Sequence, residues 1–206
     1  MTTSAKPRVP AVLITALVAL IALGAGWFFG VSSVTYPLEN SAEVVFARDM
    51  RFHHEQAVDM SLRILPRTTD VEMKLFVTDI LLTQQNQVGQ MTAWLALWGR
   101  PQAGAEPPMA GMGAGMGLAT QPQLERIVTL PAKDAEILFL QLMHRHHQGG
   151  ITMAEGVLNK NPKPEVARLA AGIVSGQRVE LKVIESLLRR FGGEVPQTLA
   201  PMKTGR

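Results

Sequence analysis

Residues 46–60 read FARDMRFHHEQAVDM, and residues 139–153 read FLQLMHRHHQGGITM. Both reduce to Phe-x3-Met-x2-His-His-x5-Met at a constant offset of 93. All five histidines of the 206-residue chain fall in these windows: His53, His54, His144, His146 and His147. Carried outward, the same offset pairs Ala42 with Ala135, Leu65 with Leu158, Glu72 with Glu165, Ile80 with Ile173, Gln84 with Gln177, and Gly99 with Gly192. A gap-free repeat of that length implies a duplicated helical hairpin, and hence an all-α four-helix bundle.

The helices are read from period and punctuation. A first bundle helix from about Ser41 to Leu65 has the seam Phe46, Met50, His53, Ala57, Met60, Ile64, with alternating steps of four and three. Pro66 stops it. Thr69-x-x-Glu72 has capping-box form and opens a second helix that runs to about Trp98, where Gly99 and Pro101 follow. A third helix is expected from about Asp134 to Leu158 and a fourth from about Glu165 to Phe191, capped by Gly192-Gly193. The bundle therefore occupies 41–193, with hairpins at 41–99 and 134–193 and a tail at 194–206. Residues 100–122 are rich in Pro, Gly, Ala and Met and read as a flexible connector within 100–133. The connector can span either helix length, which leaves the third helix parallel or antiparallel to the first.

Upstream, residues 11–30, AVLITALVALIALGAGWFFG, carry no charge and are long enough to span a bilayer. Lys6 and Arg8 precede this run and no basic residue follows until Arg48, so residues 1–10 should stay cytoplasmic and the rest should lie outside. The protein is thus expected to be a single-pass membrane protein anchored by 11–30, with a linker at 31–40. Cleavage as a signal sequence near Ala22–Ala25, giving a secreted or periplasmic protein, is the alternative. The formal net charge is +3, and beyond the apolar run 18 basic residues face 17 acidic ones. No basic stripe suits nucleic acid. The absence of cysteine excludes disulfides, thiolate metal sites and Cys nucleophiles.

The chemistry then lies with imidazole and thioether. Met50 sits one helical turn before His53-His54, and Met143 one turn before His146-His147. Met60 and Met153 lie two turns on, and the intervening seam position is small, Ala57 or Gly150. Thioether sulfur selects soft ions, Cu(I) above all, and imidazole accepts copper in either state as well as zinc and others, so copper is expected with another transition metal as the alternative. The candidate metal ligands are therefore Met50, His53, His54, Met60, Met143, His144, His146, His147 and Met153. His144 has no counterpart, since Arg51 holds its place. Gln84, Gln87, Gln177 and Glu180 interrupt the facing seams at matching depth and are expected to fix the histidine rings by hydrogen bonds. No Glu stands three residues before a His, which counts against a di-iron centre. Met109, Met112 and Met116 of the connector are either compositional drift or an outer copper-capture loop.

The motifs Met50-x2-His53-His54-x2-Ala57-x2-Met60 and Met143-x2-His146-His147-x5-Met153, with Trp94-Leu95-x2-Trp98-Gly99, resemble the bacterial domain-of-unknown-function 305 family over about residues 41–193. The resemblance implies a ferritin-like four-helix bundle, usually exported, with some members tied to copper binding and resistance. The chain departs from the family at Gly149-Gly150, where Ala is frequent. Glycine in mid-helix costs about 1 kcal/mol relative to Ala, which counts against the ordering of the second copy. These features predict copper sequestration or handover to a donor or acceptor protein rather than catalysis. Binding should weaken below about pH 6.5, where free imidazole protonates. An interaction bundle with a structural His/Gln core is the alternative, and a metal-dependent redox enzyme is a third reading. The oligomeric state is left open.

Overall fold

The computed structural model describes residues 11–32 and 35–199, in two compact units, Met1–Tyr36 and Pro37–Arg206. Lys6 and Arg8, on which the expected orientation rests, lie outside the described residues, as does the end of the tail. The first unit contains α1 (Ala11–Ser32), a 22-residue helix. Its Ala11–Phe28 stretch is long and apolar enough to cross a membrane.

The second unit is all helical among its described residues: α2 (Ala42–Ile64), α3 (Val71–Leu97), α4 (Gln121–Thr129), α5 (Ala132–Leu158) and α6 (Pro164–Phe191). The expected bundle of two hairpins is observed, formed by α2 with α3 and α5 with α6. Ser41 starts α2, its hydroxyl accepting from the Val44 N–H. Asp70, rather than Thr69, caps α3 by accepting from the Met73 N–H at 2.9 Å. An aspartate one residue nearer the helix competes better for that donor than the expected threonine. At the far end of α6, Gly192 adopts φ +76° and the Gly193 N–H donates to the Leu188 carbonyl, closing the helix in left-handed form.

Two apolar cores settle the direction of the helices. One joins the C-terminal half of α2 (Met60, Ile64) to the N-terminal halves of α3 (Met73, Ile80) and α5 (Phe139, Met143) and the C-terminal half of α6 (Ile184, Leu187). The other joins the opposite halves: Val44 and Met50 of α2, Met91 and Leu95 of α3, Val157 of α5, and Val166 and Ile173 of α6. Thus α5 runs antiparallel to α2, and α6 to α3. The ion pair between Arg190 of α6 and Asp70 at the head of α3, 2.8 Å, marks the same arrangement. The two sequence copies are related by a two-fold pseudo-axis across the bundle, between the two cores.

The connector corrects the expectation of a flexible spacer. Residues 101–120 form a strap of turns laid along α2, and α4 follows with its buried Leu124 and Ile127 against the core. The strap is fixed by backbone bonds that a Gly/Pro-rich composition does not reveal. Arg48 donates to the Pro101 carbonyl from Nε at 3.0 Å and Nη2 at 2.8 Å. The Asp49 carboxylate accepts from the Met109 N–H at 3.0 Å. Gln56 both accepts from the Ala119 N–H, 2.7 Å, and donates to the Ala119 carbonyl, 2.9 Å.

Candidate metal centre

Between the two apolar cores lies a layer of four fully buried imidazoles, His53 and His54 from α2 and His146 and His147 from α5. The antiparallel pairing brings the first histidine of each His-His pair, His53 and His146, to the pseudo-axis. The His53 and His146 rings stack there with centroids 3.6 Å apart. The flanking rings stand farther off, His54 at 6.2 Å from His53 and His147 at 6.4 Å from His146.

Every ring is oriented through Nε2. His53 donates to the Met116 carbonyl at 3.0 Å and His146 to the His53 carbonyl at 2.8 Å. His54 pairs with the Gln87 Oε1 at 2.7 Å, and His147 with the Glu180 carboxylate at 2.7 Å. These acceptors hold the proton on Nε2 and leave Nδ1 with a free lone pair. All four Nδ1 atoms are buried without a hydrogen-bond partner. Such orphaned acceptors are uncommon in a folded interior.

Burial disfavours the charged form of His53, His54 and His146. It pushes His53 down to about 4, with the His147 charge acting in the same sense and the Met116 bond opposing. Burial, then the neighbouring His53, pushes His54 down to about 3. His146 is held well below its ordinary value by burial first and His53 second. In the folded protein these rings therefore stay unprotonated below the expected threshold near pH 6.5.

The other predicted residues divide. Gln87 and Glu180 hold His54 and His147, at the same separation of 33 residues in each copy. Gln84 and Gln177, in contrast, make no hydrogen bond through either side-chain atom of Gln84 or through Oε1 of Gln177. They line a cavity of about 40 Å³ between α3 and α6, with Gln87, Glu180, Gly172 and Gly176 around it. Met50 lies in the core on one side of the layer, and Met60 and Met143 in the core on the other. Met153 is half-buried and turns to a cavity beneath the strap. His144 stands apart, its Nε2 3.6 Å from the Glu185 carboxylate. Burial lowers its pKa while Glu185 opposes the shift. Among the described residues no group of three or more His, Cys, Asp or Glu is gathered as a preformed metal cage. A metal in this layer would have to use Nδ1 atoms and thioethers, a soft donor set.

The two glycines are part of the construction. A Cβ on Gly149 would collide with the Met116 carbonyl and one on Gly150 with the Gln177 amide, while Gly117 lies against the Arg145 carbonyl with φ +74°. Gly149 and Gly150 lie within an unbroken α5 and admit the strap and α6 to the layer. They order the second copy rather than loosening it. Met116, whose backbone carbonyl orients His53, was outside the reach of seam periodicity. Its sequence signals are the following Gly117 and its place in the Met109, Met112, Met116 spacing, neither of which points to its carbonyl.

An antiparallel pair of duplicated hairpins with a doubled histidine pair at the pseudo-axis defines a class of helical-bundle proteins. The family model described as Domain of unknown function (DUF305) matches residues 43–188, and the chain belongs to this family. The DUF305 structure from Streptomyces coelicolor is 42% identical, with TM-score 0.72, over 78% of this chain and 99% of that one. A DUF305 fragment from Deinococcus radiodurans is 38% identical, with TM-score 0.68, over 75% and 99%. CopM, solved in its Cu(I)-bound form, is 24% identical, with TM-score 0.60, over 73% and 98%, a likeness of fold. The uncharacterized protein L153 of Acanthamoeba polyphaga mimivirus is 42% identical over 43 residues, which span 28% of that protein.

Proposed function

We propose that this protein binds a soft metal ion, copper in its Cu(I) state above all, at the central histidine layer, and that it sequesters or hands on the ion rather than catalysing a reaction. The observation that carries this reading is the set of four buried Nδ1 lone pairs, each on a ring fixed by its Nε2 bond. Metal-binding histidines take that form: one nitrogen on the ion, the other held by a carbonyl or carboxylate that sets direction and basicity. His53, His54, His146 and His147 would supply nitrogen, and Met50 and Met143, one turn away, thioether sulfur. Hard divalent ions are disfavoured, because Glu180 is the carboxylate nearest the layer and already accepts from His147. The same fold in CopM is described with Cu(I), Cu(II) and silver. That likeness concerns the fold, and the metal reading here stands on this chain's own side chains.

With α1 as an uncleaved anchor, the bundle would work on the extracytoplasmic side of the cell membrane and exchange copper with a donor or acceptor protein. Intact mass of the protein recovered from membranes tests the anchor against signal cleavage.

Titration of the full chain in detergent with Cu(I), against a competing chelator, tests the metal reading. The combined replacement of His53, His54, His146 and His147 by Ala should abolish tight binding. Unchanged affinity would sink the proposal. A second reading, a structural polar core in an interaction bundle, is favoured by the absence of a preformed His/Asp/Glu cage among the described residues. An ion that binds only the native state must raise its melting temperature. Melting that is indifferent to Cu(I) supports the structural reading.

A further inference from the structure

The strap encloses a second donor set that the histidine layer does not use. Met109, Met112 and Met116 from the strap and Met153 from α5 line one cavity of about 380 Å³, which opens to solvent. Four of the chain's 11 methionines thus line a single cavity. Within the strap they are spaced three and four apart. The Met112 N–H donates to the Met109 carbonyl and the Met116 N–H to the Met112 carbonyl, at 2.9 and 3.0 Å. These turns bring the three residues to the lining of the one cavity.

Apolar burial accounts for Met109 and Met116, which are nearly fully buried, but not for Met112. Met112 remains 38% exposed at the mouth. Met109 occupies a left-handed conformation, φ +55°, that a side chain rarely adopts, and Asp49 holds it there through the Met109 N–H. The strap is therefore specified at a methionine, against local preference. Charge narrows what the mouth can take. Asp49 and Lys160 both line it, leaving it close to neutral, and the Asp49 carboxylate is already engaged. Such a cavity suits a monovalent cation that prefers sulfur over one needing oxygen.

We propose that Met109, Met112, Met116 and Met153 form a distinct outer site for a soft monovalent ion, Cu(I) or Ag(I), at the entrance above the histidine layer. The site goes beyond the reading of the buried layer and uses other atoms. The two adjoin through Met116, which lines the cavity and gives its carbonyl to His53 Nε2. An ion held by the strap waits one residue from the ring it would reach next.

Silver nitrate titrated into the full chain in detergent, with methionine methyl groups carbon-13 labelled, tests the proposal. The methyl signals of Met109, Met112, Met116 and Met153, assigned by single Leu replacements, should shift on adding Ag(I). They should do so equally in the variant lacking His53, His54, His146 and His147, so that failure of the inner layer is read separately. Met109→Leu, Met112→Leu and Met153→Leu together should lower the Ag(I) bound per chain by one ion. Met112→Leu alone, at an exposed side chain, provides a variant that leaves the packing intact and should still weaken the outer ion. Silent strap methyls while Met50 and Met143 shift, or an unchanged ion count in the triple variant, overturn it.

Discussion

His53 and His146 occupy equivalent places in the two sequence copies and stack face to face, 3.6 Å between centroids, with the His146 Nε2 donating to the His53 carbonyl. The contact joins the two hairpins through fully buried polar residues. Burial holds both rings below their ordinary pKa, and several consequences can be measured.

Acid should unfold the metal-free protein early. The buried rings have folded pKa values below the unfolded one, His53 about 4 and His54 about 3 against 6.5. Below 6.5 the unfolded chain binds more protons than the native one, so stability falls as pH drops from 6.5 toward 4. Denaturant midpoints measured from pH 7 to pH 4 should decline steadily. His53→Ala and His146→Ala should each flatten the decline.

Gly149→Ala and Gly89→Ala should move stability in opposite directions. Both glycines are helical, yet a Cβ at Gly149 meets the Met116 backbone while one at Gly89 meets nothing within 4 Å. The helix-propensity gain of about 1 kcal/mol should appear at Gly89. At Gly149 overpacking should reverse it, costing about 1–3 kcal/mol net. Urea unfolding of the two variants settles the comparison.

Glu180→Gln should be mild and Glu180→Ala severe. The amide can still accept from His147 Nε2, now 2.7 Å from the carboxylate, whereas Ala leaves that donor buried and unpaired at a cost of about 1–3 kcal/mol. If His147 is a ligand, Ala should also weaken Cu(I) binding by about 10–100-fold. Chelator competition with both variants reads the difference.

Gln56→Ala should free the strap without unfolding the bundle. Gln56 makes both bonds to the Ala119 backbone, 2.7 and 2.9 Å. Amide exchange should accelerate at Met116 and Ala119 while the amides of α3 and α6 keep their protection.

Periodicity made the bundle legible. The seam Phe46, Met50, His53, Ala57, Met60 turned inward as expected, and Gln87 and Glu180 met the predicted histidines. What it could not supply was direction. A parallel and an antiparallel α5 satisfy the same pattern, and only the division of Met60 and Met143 from Met50 between two cores decides the matter. The strap was illegible for another reason. Its order comes from Arg48, Asp49 and Gln56 bonding to backbone atoms, and backbone donors and acceptors carry no residue signature. The glycines misled in the same way, since Gly149 answers to Met116 across the fold rather than to its own helix.

The connector occurs once, whereas the hairpin occurs twice. Two separate hairpins associating about a true axis would have to keep both faces of the histidine layer alike. Joined in one chain, they need not. One face has gained a covering segment with its own methionines, and elsewhere one amide, Gln87, is matched by a carboxylate, Glu180. Within one chain the halves are free to differ, so that the strap covers one side of the layer and His54 meets an amide where His147 meets a carboxylate.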